Sequence, residues 1–220
     1  MKPAKVLIVD DHPIVREGLK QLIQQDEALE VCGEAEDCVA ALELIQSTRP
    51  DVAVIDLSLK KSSGMDLLKS AKKMAPEMKI LVLSMYNESV YAERVLRAGA
   101  NGYLMKHQAM TNILDGIHRI MNREICVSEN IAKKILHEFA QQPSSPSDNV
   151  SEILSDRELE VFALYGQGLK TRDIADRLIV SVKTIESHRE HIIQKLHLKN
   201  SAELVCKAVE FVLTEQKPSE

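Results

Sequence analysis

Val6-Leu7-Ile8-Val9-Asp10-Asp11-His12 decides how the rest of the chain is read. Four consecutive apolar residues describe a buried strand, and the two carboxylates that end it mark the edge of a sheet. The same grammar recurs downstream. Residues 51–57 (Asp-Val-Ala-Val-Ile-Asp-Leu) and 79–84 (Lys-Ile-Leu-Val-Leu-Ser) are strong strand signals, 31–35 a weaker one and 102–105 a short one. With the first strand at 5–10, amphipathic patterns predict helices near 13–25, 37–48, 65–75, 88–98 and 109–122. Pro13 suits the first turn of the first helix. Strands alternating with helices imply a parallel sheet covered on both faces. The expected fold is α/β, a doubly wound five-stranded parallel sheet, with any site outside the carboxyl ends of the strands.

That topology gathers chemistry at one edge. Asp10 and Asp11 end the first strand, Asp56 the third and Ser84 the fourth, and Lys106 follows the fifth. Three clustered carboxylates repel one another and call for a cation; oxygen ligands with room for water and phosphate suit Mg²⁺. A metal there can neutralise a phosphoryl group and orient it toward a carboxylate nucleophile, while a hydroxyl and an ammonium bind its oxygens. An Asp-Asp pair alone is also an ordinary helix-start signal. The argument for a pocket is that all five positions fall in order at strand ends. His12 is read as the start of the helix, not as a ligand.

The second half changes character. Residues 130–141 place Ile131, Ile135, Leu136 and Phe139 on one helical stripe. Pro143-Ser144-Ser145-Pro146-Ser147-Asp148-Asn149 is the clearest linker in the chain. Beyond it every pattern is a short helix. Ser155-Asp156-Arg157-Glu158 is a capping box, and Gly166-Gln167-Gly168 stops the helix it opens. Helices follow at 171–178, 181–196 and 202–212. Ile174, Ala175 and Leu178 make an inner stripe on the first of these; Ile185, Ile192 and Leu196 make one on the second. The opposite face of 181–196 carries Lys183, Thr184, Glu186, Ser187 and Glu190, and such a face can lie in a major groove. Lys170 and Thr171, where the preceding helix starts, suit a phosphate. An ordinary helical pair with a solvated face gives the same periodicity. The expected division is residues 1–123, a linker with an amphipathic helix over 124–150, and a small all-α domain over 151–220.

Composition bounds the function. The chain has 220 residues, enough for two modest domains, and 45% of them are hydrophobic. No apolar run approaches the ~18 residues that cross a membrane. The opening stretch lacks the pattern of a secretory signal, so no membrane association and a cytoplasmic location are expected. Cys32, Cys38, Cys126 and Cys206 are scattered without ligand spacing and read as reduced thiols. The net charge is −5, and residues 151–220 hold 10 Lys+Arg against 12 Asp+Glu. Any contact with nucleic acid must therefore come from local arrangement.

The motifs resemble two known modules. Val6 to His12, Val54-Ile55-Asp56 and Gly102-Tyr103-Leu104-Met105-Lys106 look like a receiver domain of the two-component response-regulator family. Leu154 to Glu158, Gly166-Gln167-Gly168-Leu169, Asp173-Ile174-Ala175, Ser181-Val182-Lys183-Thr184-Ile185 and Lys195-Leu196 look like a LuxR-type helix-turn-helix. Together they resemble the NarL/LuxR group. The resemblance implies Asp56 as phosphoacceptor and Asp10, Asp11, Asp56 and the Ser58 carbonyl as Mg²⁺ ligands. It also implies Ser84 as switch hydroxyl, Lys106 as phosphate-binding lysine and Tyr103 as switch aromatic. A sensor histidine kinase and double-stranded DNA are the implied partners. The implied outcome is transcription control by a homodimer, made in the DNA-binding part through the last helix with Leu204, Val205, Ala208, Val209 and Val212. Three features depart from the group: Glu186 stands where lysine is common, Tyr86 stands where histidine is common, and Lys60 to Gly64 lacks the usual proline. A phosphate-dependent protein-binding module remains an alternative reading. An enzyme with a diffusible substrate is the least supported, since no separate general base accompanies the carboxylate.

Overall fold

The computed structural model describes residues 2–59, 63–140 and 150–215. The chain divides into two compact units, Met1–Ala140 and Gln141–Glu220. The first unit contains β1 (Ala4–Val9), α1 (Pro13–Ile23), β2 (Leu29–Ala35), α2 (Cys38–Thr48), β3 (Val52–Asp56), α3 (Gly64–Met74), β4 (Lys79–Ser84), α4 (Glu88–Arg97), β5 (Gly102–Met105), α5 (Lys106–Met121) and α6 (Glu129–Ala140). All strand pairings are parallel, in the order β2-β1-β3-β4-β5. The order reverses at β1, so β1 and β3 carry their carboxyl ends to the crevice of a doubly wound sheet.

Period-two alternation sorts the apolar residues between the two faces. Val6 and Ile8 of β1, Val52 and Val54 of β3, and Leu81 and Leu83 of β4 pack with Leu19 and Ile23 of α1 and Ile113, Ile117 and Ile120 of α5. The intervening Leu7, Val9, Ala53, Ile55, Ile80 and Val82 are equally buried on the other face. Side-chain oxygens of Asp37, Ser63 and Asn87 cap α2, α3 and α4. Helix α5 starts at Lys106 directly after β5, three residues before the apolar pattern reveals it, because its first turn, Lys-His-Gln, carries no apolar residue.

After α5 the chain returns to the sheet. Cys126 forms a parallel bridge with Gly102: the Tyr103 amide donates to the Cys126 carbonyl (2.7 Å) and the Cys126 amide to the Asn101 carbonyl (3.0 Å). Helix α6 then lies on α4, with Ile131 buried and the Ser128 amide bonded to Glu88 Oε1 at 2.8 Å. The expected stripe on this helix is corrected. Leu136 is 70% exposed, because it lies about 140° around the helix from Ile131. The Phe139 side chain and the linker 143–149 fall outside the described residues.

The second unit is helical: α7 (Val150–Ile153), α8 (Asp156–Gly166), α9 (Thr171–Leu178), α10 (Val182–Lys195) and α11 (Ser201–Glu215). Helix α8 is its core element, with Leu159, Val161, Phe162 and Leu164 fully buried and α9, α10 and α11 packed around it. Ile174, Ala175, Ile185, Ile192 and Leu196 are buried as the periodicity predicts, and Leu178 is half-buried. The turn between α9 and α10 runs through Ile179 at φ 51°, a left-handed conformation unusual for a β-branched residue. The apolar face expected to dimerise through α11 is split. Leu204 and Ala208 are buried inside their own unit and Phe211 packs on Phe162. Val205 is 39% exposed, whereas Val209 and Val212 are half-buried. Helix α11 needs those inward residues to cover α8, so they are not available to a second copy. Among the described residues no helix is long and apolar enough to cross a membrane.

Helices α8 and α11 approach closely at Gly166, where an added Cβ would lie 2.3 Å from the Ala208 carbonyl oxygen and 2.6 Å from Val212 Cγ2. Gly166→Ala must push α11 off α8 and should cost about 1–3 kcal/mol. In hydrogen exchange on the full chain, α8 and α11 amides should lose protection while the β-sheet amides keep theirs. Unchanged protection in α11 would show that the contact is not the constraint it looks to be.

Candidate functional site

The carboxyl ends of β1 and β3 converge on the largely enclosed ammonium of Lys106, which follows β5. Lys106 Nζ lies 2.7 Å from Asp10 Oδ2 and 2.7 Å from Asp56 Oδ2. Asp10 and Asp56 are each 1% exposed, and Asp11 is also buried. Each acid is held from its own strand end. The Ser58 amide donates to Asp56 Oδ1 (2.9 Å), the His12 amide to Asp10 Oδ1 (2.8 Å), and Arg16 Nη1 to the Asp10 carbonyl (2.6 Å). Burial pushes the Asp56 carboxyl above its ordinary range; Lys106 and the Ser58 amide oppose this, and Asp10 adds to it. Burial works to lower the Lys106 ammonium, but Asp56 and Asp10 outweigh it and hold it above its ordinary value.

Three carboxylates around one ammonium leave a buried excess of negative charge, which a divalent cation would balance. Asp10, Asp11, His12 and Asp56 each offer one ligand atom, all within 4.8 Å of one another. The three carboxylates of that set supply the oxygen ligands that fit Mg²⁺. His12, read from the sequence only as a helix start, also joins the cluster, with Nδ1 2.7 Å from Asp11 Oδ1 and 3.1 Å from Asp10 Oδ1.

Ser84, at the end of β4, is fully buried, and its hydroxyl oxygen accepts from the Tyr86 amide at 3.0 Å. Tyr103 is fully buried too, and its hydroxyl donates to the Tyr86 carbonyl at 2.6 Å. Burial pushes the Tyr103 phenol well above its ordinary value. The aromatic expected to act as the switch therefore points inward in this structure. Tyr86, conspicuous in the sequence only as a departure from a family pattern, touches both Ser84 and Tyr103.

In the second unit all but one of the expected contact residues are exposed. Lys183, Thr184, Glu186, Ser187 and Glu190 are exposed on α10, Lys170 is exposed before α9, and Thr171 is half-buried with its hydroxyl 3.0 Å from Tyr165 OH. Ser181 caps α10 by accepting from the Thr184 amide. Among the described residues no ion pair engages Lys183, Glu186 or Glu190. Sequence reasoning missed what sets the angle of α10. Glu158 is 4% exposed, completes the capping box of α8 through the Ser155 amide (2.8 Å), and receives Lys195 Nζ at 2.6 Å. Burial would raise the Glu158 carboxyl, but Lys195 and the Ser155 groups outweigh it and hold it below its ordinary value. The capping box was legible in four consecutive residues. The partner 37 positions away had no local signal.

Comparison with known proteins agrees with this two-part arrangement. Residues 6–118 match the response regulator receiver domain, and residues 152–208 match the luxR family of bacterial regulatory proteins. The oxygen regulatory protein NreC of Staphylococcus epidermidis is 36% identical over 218 residues, covering 96% of this chain and 99% of that protein. NreC of Staphylococcus haemolyticus is 37% identical over 207 residues, covering 91% and 94%. Among solved structures, the RcsB response regulator of Salmonella typhimurium superposes with a TM-score of 0.67 at 28% identity, over 96% of this chain and 98% of that one. RcsB bound to promoter rprA with the phosphomimetic BeF₃⁻ gives a TM-score of 0.64 at 29% identity, over 94% and 99%.

The Lys106 pairing predicts a pH-dependent defect. Lys106→Met leaves Asp10 and Asp56 buried without their cation, which should cost about 3 kcal/mol at neutral pH. Losing the ammonium raises the Asp56 carboxyl further in the folded state. A carboxyl whose folded value exceeds its unfolded value keeps a proton that the unfolded chain has released, so stability falls as pH rises through that window. Denaturant unfolding should show the variant near wild type close to pH 4 and progressively weaker toward pH 7. A deficit that grows in acid instead would contradict the assignment.

Proposed function

The chain belongs to the response-regulator family, with a receiver domain joined to a LuxR-type DNA-binding domain, and from this we propose that Asp56 is its phosphoacceptor and the α10 face its contact with DNA. It is a transcription regulator rather than an enzyme with a diffusible substrate. Response regulators as a class take their phosphoryl group from histidine kinases, and receiver domains bind Mg²⁺ at such an acidic pocket.

The observation that carries the reading is the convergence on Asp56: a buried carboxylate, one oxygen held by the Ser58 amide and the other 2.7 Å from the Lys106 ammonium. In the proposed step a carboxylate oxygen of Asp56 attacks the phosphorus of a phosphohistidine on a sensor kinase. The P–N bond breaks and the phosphoryl becomes an acyl phosphate on Asp56. Mg²⁺, held by Asp10, Asp11, Asp56 and the Ser58 carbonyl, would neutralise phosphoryl charge. Lys106 binds a phosphoryl oxygen in place of the carboxylate it now pairs with, and the Ser84 hydroxyl donates to another.

Lys183, Thr184, Glu186, Ser187 and Glu190 face the major groove, and Lys170 and Thr171 meet the phosphate backbone. Exposure of these side chains beside a capped α10 N-terminus supports the placement. Glu186 and Glu190 are costly near phosphates, which fits base reading over charge attraction; a carboxylate accepts from the cytosine amino group. Activation yields a homodimer on DNA in the cytoplasm. Its surface on α11 is reduced to Val205 with parts of Val209 and Val212, since Leu204 and Ala208 are committed to their own core.

Acetyl phosphate with Mg²⁺ should add one phosphate to the wild-type intact mass and none to Asp56→Asn. The phosphorylated protein should bind duplex DNA with affinity that falls steeply as salt rises, and Lys170→Ala should flatten that slope by about one. Equal phosphate uptake by Asp56→Asn would remove Asp56 as acceptor. Salt-insensitive binding would move the second unit from DNA to a protein partner.

A further inference from the structure

The β4–α4 loop carries one residue that neither the acid pocket nor the DNA face accounts for. Tyr86 is 9% exposed and is held at three points. Its amide donates to Ser84 Oγ (3.0 Å), its carbonyl accepts from Tyr103 OH (2.6 Å), and its ring stacks on Tyr91 of α4 with centroids 4.8 Å apart and planes 21° apart. Tyr91 is itself buried at 6% exposure. The backbone of Tyr86 thus joins the hydroxyl at the end of β4 to the aromatic of β5, and its ring fixes that junction to α4.

We propose that Tyr86 is a positioning residue, and that its stack on Tyr91 keeps Ser84 and Tyr103 in the phosphate-accepting arrangement before any phosphoryl group arrives. The proposal rests on Asp56 being the phosphoacceptor. A hydroxyl has one donor and two acceptor sites. The Tyr86 amide holds an acceptor site of Ser84 and the Tyr103 hydroxyl lies beside it, so the Ser84 O–H can turn from Tyr103 to an incoming phosphoryl oxygen without the oxygen itself having to move. Swinging Tyr103 outward would leave the Tyr86 carbonyl without its donor and a cavity where a whole tyrosine is now enclosed, both costly in a buried place. The stack resists the loop movement that would relieve those costs, since offset aromatic pairs add to simple burial. The chemistry at Asp56 therefore meets Ser84 and Tyr103 already in place instead of having to gather them.

Removing the ring should free the loop while leaving Asp10, Asp11, Asp56 and Lys106 in place. Phosphate uptake from acetyl phosphate with Mg²⁺, followed as intact mass, should slow about tenfold in Tyr86→Ala, roughly one hydrogen bond at the barrier. Tyr86→Phe keeps the ring and should stay near the wild-type rate. Tyr91→Leu attacks the stack from α4 without touching the loop and should slow uptake as Tyr86→Ala does. The second readout is nitration of Tyr103 by tetranitromethane, mapped by peptide mass. Wild-type Tyr103 should resist nitration equally with and without Mg²⁺ and BeF₃⁻. In Tyr86→Ala it should react freely alone and be protected once BeF₃⁻ is added. A wild type that takes up no phosphate would refute the phosphoacceptor reading beneath. A wild type that does, with Tyr86→Ala and Tyr91→Leu matching its rate and its nitration pattern, would overturn the positioning role alone.

Discussion

The ammonium of Lys106, 2.7 Å from carboxylate oxygens of both Asp10 and Asp56, joins the ends of β1 and β3, whose acids would otherwise repel. Two carboxylates this deeply buried are tolerable only where a cation is close. That requirement reaches back through the fold. Lys106 must be the first residue of α5, directly after β5, because one residue later the ammonium would face another direction. The parallel order β2-β1-β3-β4-β5 is what lets β1 and β3 present their acids side by side. The apolar strands beneath hold those ends rigid, and the amides of Ser58 and His12 each take a carboxylate oxygen that burial would leave bare. The arrangement is still short of positive charge, with Asp11 making a third acid. A divalent cation would supply the charge that is missing.

The second unit solves a similar problem on a smaller scale. Glu158 is a buried acid whose oxygens are used by the Ser155 amide and by Lys195. One carboxylate therefore caps α8 and pins the far end of α10, so the face of α10 is fixed from within while its outer residues stay free. This explains how a slightly acidic unit can still present a DNA-binding surface: the orientation of one helix matters, not the sum of charges.

Much of this was readable in the chain. The unbroken apolar runs at Val6, Val52 and Ile80 can only be strands covered on both faces, and the acids at their ends follow from topology. The pattern at Ile174, Ala175, Ile185 and Ile192 marks the helix pair equally well. What escaped lies where periodicity is silent or shared. The first turn of α5 is polar, so its start was set three residues late. The apolar face of α11 looked like a dimer surface because an inward core face and an outward contact face have the same spacing. Ala208 lies against Gly166, which lets α11 approach α8 closely at that point. Leu136 looked like part of a stripe and is instead exposed on α6. The Tyr86–Tyr91 stack and the Glu158–Lys195 pair are tertiary events without local signatures.

The account stands on a pocket whose carboxylates exceed its cations, and this can be tested without phosphate or DNA. A ligand that binds only the folded state stabilises it by about 2.7 kcal/mol at a hundredfold excess over its Kd. The melting temperature of the transition that unfolds the β-sheet should therefore climb with added Mg²⁺ in the wild-type protein. It should stay flat in Asp11→Asn, which leaves the Lys106 pairings untouched. No rise in the wild type, or the same rise in both proteins, would contradict the claim that these three acids form a cation site.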